Sequence, residues 1–307
     1  MEVLKEIEET KQLKNELDGT IDPSFSENEI RQTILEEELD KSQTIGIIKE
    51  YFTPNPSPQE LIEMAGIFGQ TEGEIKREFG SYKAKKLYLK MDYLLSNNSL
   101  NKRELNEKLS LALRYGFKSV TVMPNMVSYA KSVINNTGVE LRALISYPFG
   151  EDVFSSKVYA VKKAFSNGAN AVIVCISVTA IKNGEYKGIA KEFKKFLKVA
   201  GKRKVYALLD CDSLNLEEIE KVAIEIVKVA KIYSIILTPT LFKGKISLQT
   251  LKGLVDFVDG KCYVDGGGET TTPEETVALI NAGANVVTSE NCIEIAENLN
   301  RRISAEI

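Results

Sequence analysis

The chain has 307 residues, 43% hydrophobic and 27% charged, with a net charge of −3, enough for one large domain plus an appendage. That charge balance argues against a nucleic-acid partner, which wants a concentrated basic face, and no apolar run approaches the ~20 residues that span a bilayer. Histidine is absent, which removes Ser-His-Asp catalysis, Cys-His nucleophiles and His-ligated zinc, and leaves acid–base work to Asp, Glu, Lys, Tyr, Cys or water.

Met1 is followed by Glu2, Lys5 and Glu6 rather than a signal-peptide core, so a cytoplasmic location is expected. Residues 2–17 carry Val3, Leu4, Ile7, Leu13 and Leu17 at helical spacing, interrupted by Gly19 and Pro23. Ser26 with Glu29 has the form of a capping box opening a second helix to about Leu39. Pro54, Pro56 and Pro58 make a stiff linker, because proline lacks the backbone donor and biases its predecessor to extended states. Residues 59–68 and 72–83 again have helical patterning. Residues 1–83 are therefore expected to be a helical extension, serving a homo-oligomer contact or closing one end of the domain that follows.

From residue 87 short apolar runs alternate with amphipathic segments. Strands are expected at 87–92, 119–123, 140–146, 171–176, 205–210, 233–238, 261–265 and 286–288. Helices are expected at 102–115, 157–166, 189–200, 216–230, 248–258 and 273–282, with Gly116, Gly138, Gly168 and Gly283 where helices end. Apolar strands alternating with helices mean a parallel sheet covered by helices. Eight such units over 84–307 suit an α/β fold closed as a (β/α)₈ barrel better than an open sheet, although periodicity alone leaves the doubly wound alternative open.

Catalytic groups in such a barrel sit at the C-terminal strand ends. Strand alternation points Asp92, Asp210 and Asp265 inward near that end, with Asp212, Glu269, Cys175, Cys211 and Thr238 as neighbours. Clustered carboxylates raise one another's pKa or recruit a cation, and three oxygen ligands would suit Mg²⁺ or Mn²⁺. The plainer alternative has Asp92 bonding a loop while Asp210 and Asp265 cap helices or face solvent; no cofactor is required. Lys90, with the inward parity of Asp92, and Lys243, after strand six, are the lysines nearest the mouth. Gly266, Gly267 and Gly268 either cradle an anion on backbone N–H groups or form a tight turn. Thr288 and Ser289 could donate to a neutral hydroxyl. The four cysteines show no CxxC spacing and are expected as buried apolar groups or free thiols.

Several stretches in order resemble deoxyribose-phosphate aldolase. Met91-Asp92-Tyr93-Leu94-Leu95 is similar to that family's I-D-H-T-L-L, and Tyr115-Gly116-Phe117-Lys118-Ser119-Val120 to its Y-G-F-A-S-V. Ser146-Tyr147-Pro148-Phe149-Gly150 with Lys157-Val158, then Asn167-Gly168-Ala169-Asn170 and Asn281-Ala282-Gly283-Ala284, continue the likeness over about residues 87–298. The resemblance implies the barrel fold and a small-metabolite pocket at its mouth. It also implies a class I aldolase, in which a strand-six lysine forms a Schiff base with the aldehyde. That lysine falls on Leu237, the strand-four aspartate on Ile173, a strand-five lysine on Tyr206 and the strand-seven lysine on Asp265. Neither leucine nor aspartate supplies a nucleophilic amine. The strand-eight phosphate loop, G-T-S-S-G in the family, reads Thr288-Ser289-Glu290-Asn291, with a carboxylate opposed to a phosphate dianion.

The leading expectation is a small-molecule-binding pseudoenzyme holding a polar metabolite through groups such as Thr238, Gly266–Gly268 and Ser289. The competing reading is a lyase or isomerase of altered chemistry, using Asp92, Asp210 and Asp265 on a carbonyl or sugar-like substrate. A third is an assembly scaffold.

Overall fold

The computed structural model describes residues 84–97 and 99–305. The expected extension at 1–83, with its helices and proline linker, lies outside them. The described chain forms eight strands: β1 (Met91–Leu95), β2 (Ser119–Val122), β3 (Glu140–Ile145), β4 (Ala171–Cys175), β5 (Lys204–Asp210), β6 (Ser234–Thr238), β7 (Tyr263–Gly267) and β8 (Val287–Ser289). They pair in sequence order, all parallel, and β8 pairs with β1 to close a barrel. The connecting helices are α1 (Lys102–Tyr115), α2 (Val127–Ile134), α3 (Phe154–Ser166), α4 (Val178–Lys182), α5 (Tyr186–Ala200), α6 (Leu216–Val229), α7 (Leu248–Val258), α8 (Pro273–Asn281) and α9 (Cys292–Ala305). None is long and apolar enough to cross a membrane.

Strand alternation divides the core in two. Outward residues such as Val120, Val122, Val172, Val174, Ala207 and Leu209 pack against Leu109, Phe193, Phe196, Val222 and Leu254 of the helices. Inward Leu94, Leu144, Ile173, Cys175, Leu208 and Ile236 form a separate interior cluster with Phe242. Helix starts are set locally. Asn101, Asn215 and Thr272 each cap a helix and receive a return bond from Glu104, Glu218 and Glu275, reciprocally satisfying otherwise orphaned N–H groups. Gly116, at φ 72°, ends α1 in the left-handed conformation that glycine adopts freely.

Two strand expectations are corrected. Residues 84–88 are helical and β1 begins only at Met91; Ala84, Leu87 and Tyr88 are buried while Leu89 and Lys90 are exposed, an i, i+3, i+4 spacing that a short apolar run disguised as a strand. At the other end, β7 runs two residues further than expected, through Gly266 and Gly267. These glycines make room for packing. A Cβ on Gly267 would lie 2.6 Å from a Phe242 ring carbon, and one on Gly268 would lie 2.9 Å from the Gly244 carbonyl.

Candidate functional site

Beneath its mouth the barrel interior is layered. Lowest and most central is an ionic network around Arg142 of β3, which is 1% exposed. Its Nε donates to Glu140 Oε1 at 2.8 Å, and its guanidinium lies 4.3 Å from the Tyr206 ring centre. Its Nη1 stands 3.7 Å from both Asp92 Oδ2 and Asp265 Oδ2. Glu140 also accepts from Lys204 and, at 2.9 Å, from the Tyr206 hydroxyl. Burial pushes the Glu140 carboxyl up, but Arg142, Lys204 and Tyr206 more than offset it and leave it below its ordinary range. Burial opposes the Arg142 charge, yet Asp92, Tyr206, Asp265 and Glu140 hold that charge more firmly than in an ordinary arginine.

The two inward aspartates differ. Asp92 accepts from Ser119 and Thr121 at 2.7 Å each and from Thr288 at 3.1 Å, so its charge is solvated by hydroxyls. Asp265 is 2% exposed and its Oδ2 has no hydrogen-bond partner. Burial pushes its carboxyl up to about 7; Arg142 offsets this only partly, and the charge of Asp92 adds to it.

Above this network comes the apolar layer of Leu94, Leu144, Ile173, Cys175, Leu208 and Ile236, flanked by Met123, Tyr147 and Phe242. Burial keeps the Cys175 thiol protonated far above its ordinary range. Polar groups return at the rim. Asp210 accepts from Thr240 Oγ1 at 2.6 Å and from the backbone N–H groups of Asp212 and Ser213. Glu290 accepts from Ser96 at 2.6 Å and pairs with exposed Lys243 at 3.3 Å, while Glu269 accepts from the Gly244 N–H.

Asp92 and Asp265 thus share Arg142, whereas Asp210 lies beyond the apolar layer and binds a loop. Among the described residues no three Cys, Asp or Glu side chains gather as a metal site, so the three aspartates do not form the cation cluster weighed from sequence. Gly266 N donates to Val286 O and Gly268 N to Thr288 O; these donors are spent on the sheet and not on an anion cradle. Thr238 donates to the Pro239 carbonyl, and Ser289 donates to Thr270 O while accepting from Asn291 N. Lys90 does not point inward. It is exposed, in the turn preceding β1. Leu237 packs outward with Ile235 in the helix-facing core, and the inner face of β6 carries Ser234, Ile236 and Thr238.

Sequence reasoning missed Arg142 and Glu140, although charges two apart in the otherwise apolar Glu140-Leu141-Arg142-Ala143-Leu144-Ile145 marked them. It also missed Lys157, which is 4% exposed in the first turn of α3, 3.7 Å from Glu192 Oε2.

No family model matches the chain. The deoxyribose-phosphate aldolase of Thermoanaerobacter pseudethanolicus is 28% identical over 214 residues, covering 69% of this chain and 96% of that enzyme. That of Mycoplasma capricolum is 26% identical over 210 residues, covering 68% and 94%. Among solved structures, the aldolase QR15 superposes with a TM-score of 0.67 at 24% identity, covering 71% of this chain and 98% of its own. A tetrameric deoxyribose phosphate aldolase from Aeropyrum pernix superposes at 0.61 with 15% identity, covering 72% and 95%. The barrel is a distant homologue of deoxyribose-phosphate aldolases.

Proposed function

We propose, starting from that distant homology, that this barrel no longer performs amine-dependent aldol chemistry and instead holds a small polar molecule at its mouth without transforming it. The observation that carries this reading is the apolar layer. Leu94, Leu144, Ile173, Leu208 and Ile236 occupy the inner wall where a Schiff-base amine and its acid–base partners would need to converge. The nearby lysines are otherwise engaged: Lys243 with Glu290, and Lys157 with Glu192. Asp92 and Asp265 lie below the layer against Arg142, which disfavours altered chemistry by the three aspartates. The rim carries the carboxylates Asp210, Asp212, Glu269 and Glu290, each accepting from a loop donor and Glu290 also paired with Lys243; their remaining acceptor capacity suits a neutral hydroxylated ligand better than a phosphate dianion.

The test is intact mass after incubation with acetaldehyde and borohydride, beside an active deoxyribose-phosphate aldolase. The expected outcome is no site-specific adduct on this chain above the background ethylation of exposed lysines, while the control gains one at its active-site lysine. An adduct mapping to Lys157 or Lys243 would restore a lysine-dependent aldolase and sink the proposal.

A further inference from the structure

The geometry points to a second binding site, at the opposite end of the barrel from the mouth, that takes a nucleoside polyphosphate. It lies where α5, α6 and α7 end and β5, β6 and β7 begin, around a cavity of about 670 Å³, a size within the ordinary range of small-molecule sites.

Lys202, Arg203, Lys204, Lys231 and Lys261 line this cavity, and no Asp or Glu does. In a chain of net charge −3 that is a local concentration of positive charge. Cations near helix C-termini also serve the helix dipole, each terminus carrying about half a negative charge. Four helices, α5 to α8, end here, since Gly283 and Asn285 after α8 also line the wall, and two lining lysines have carboxylate partners outside the wall, Lys204 with Glu140 and Lys261 with Asp259. Counting all of these against five full charges leaves an excess of about one positive charge, and the Arg203 guanidinium is itself turned onto the Phe165 ring, 3.9 Å from its centre. Lys202 and Lys231 are exposed and make no ion pair among the described residues. They are the free cations of the site.

The wall also has an aromatic component. Tyr263 and Tyr233 pack with ring centres 5.1 Å apart, and Tyr206 continues the ladder inward at another 5.1 Å. Tyr263 is 49% exposed, so a large aromatic surface stands uncovered among the cations. Lys204 Nζ lies 4.3 Å from the Tyr233 ring centre. A flat base stacking on Tyr263, with its phosphates reaching Lys202 and Lys231, uses both features; inorganic phosphate uses only one, and stacking of a base on an aromatic ring adds substantially to binding.

The test is isothermal titration calorimetry of the full chain with ATP at low salt, beside inorganic phosphate and adenosine. Saturable one-to-one binding of ATP, at least tenfold tighter than either fragment, is expected. Lys202→Glu with Lys231→Glu should weaken it at least tenfold, and Tyr263→Ala severalfold. Lys162→Glu with Lys191→Glu, the same charge change on the exposed faces of α3 and α5, should leave it intact. Absence of saturable heat overturns the proposal, as does equal loss in both double variants, or phosphate binding as tightly as ATP. The acetaldehyde experiment reads the mouth alone, so failure of one reading leaves the other standing.

Discussion

Asp92 and Asp265 occupy one barrel interior and face the same guanidinium, yet one is satisfied by three hydroxyls and the other has an oxygen without a partner. The consequence is a stability that depends on pH. The Asp265 carboxyl titrates near about 7 in the fold, against ~3.9 in the unfolded chain. Between these values the native state binds a proton that the unfolded state has released. By linkage, this group makes stability greatest below pH ~4, lowers it as pH rises through the window, and adds no further loss above about 7. Urea denaturation of the wild type and Asp265→Asn across pH 4 to 8 checks this. The wild-type midpoint should fall relative to the variant as pH rises, and parallel curves would refute the assignment. Nothing near Asp265 in sequence discloses this, because Arg142 lies on β3 and Asp265 on β7.

At the scale of elements, β7 shows how a motif changes meaning when its neighbours are known. Gly266-Gly267-Gly268 has the composition of an anion-binding loop, but two of its N–H groups bond Val286 and Thr288 carbonyls. The missing side chains admit Ile246, Phe242 and the Gly244 carbonyl to close approach. Gly267→Ala would force the Phe242 ring aside, and overpacking of this kind costs about 1–3 kcal/mol. A denaturant series comparing Gly267→Ala with wild type should show that loss; an unchanged midpoint would mean the glycine is not required for packing. The helices were easier to read from their apolar spacing and from closing glycines such as Gly116; the caps Asn101 with Glu104 and Asn215 with Glu218, which that reading passed over, are equally local in sequence. The 84–88 helix was misread because five residues are too few to separate the two periodicities.

For the whole molecule, Arg142 ties the barrel together. It is reached from β1 by Asp92, from β5 by Tyr206 and from β7 by Asp265, joining strands that do not pair directly with β3. Replacing it with methionine would leave Asp92, Asp265 and Glu140 without their shared counter-charge; breaking a buried ionic group by removing one partner costs about 3–5 kcal/mol. Arg142→Met should therefore unfold at markedly lower denaturant, with much of the loss recovered when Asp265→Asn is added. No recovery in the double variant would show that Asp265 is not the group the arginine chiefly compensates. At this scale the charge argument also changes. A net charge near zero spoke against a basic face, yet the helix-to-strand turns before β5, β6 and β7 bring lysines far apart in sequence to one cavity.

The order of strands and helices, the closed barrel and the likeness to deoxyribose-phosphate aldolase were legible from the sequence alone, because alternation, helical spacing and capping act over a few residues and the family's motifs recur in order. Tertiary structure alone decided what the inward residues touch. A strand's parity says which face a side chain takes, but not its depth in the barrel or which partner waits across it. That is why Asp210 parted from Asp92 and Asp265, why Leu237 faced the helices, and why Arg142 and Glu140 emerged as the centre of the interior: an ion pair forms through space, across strands that the sequence keeps apart.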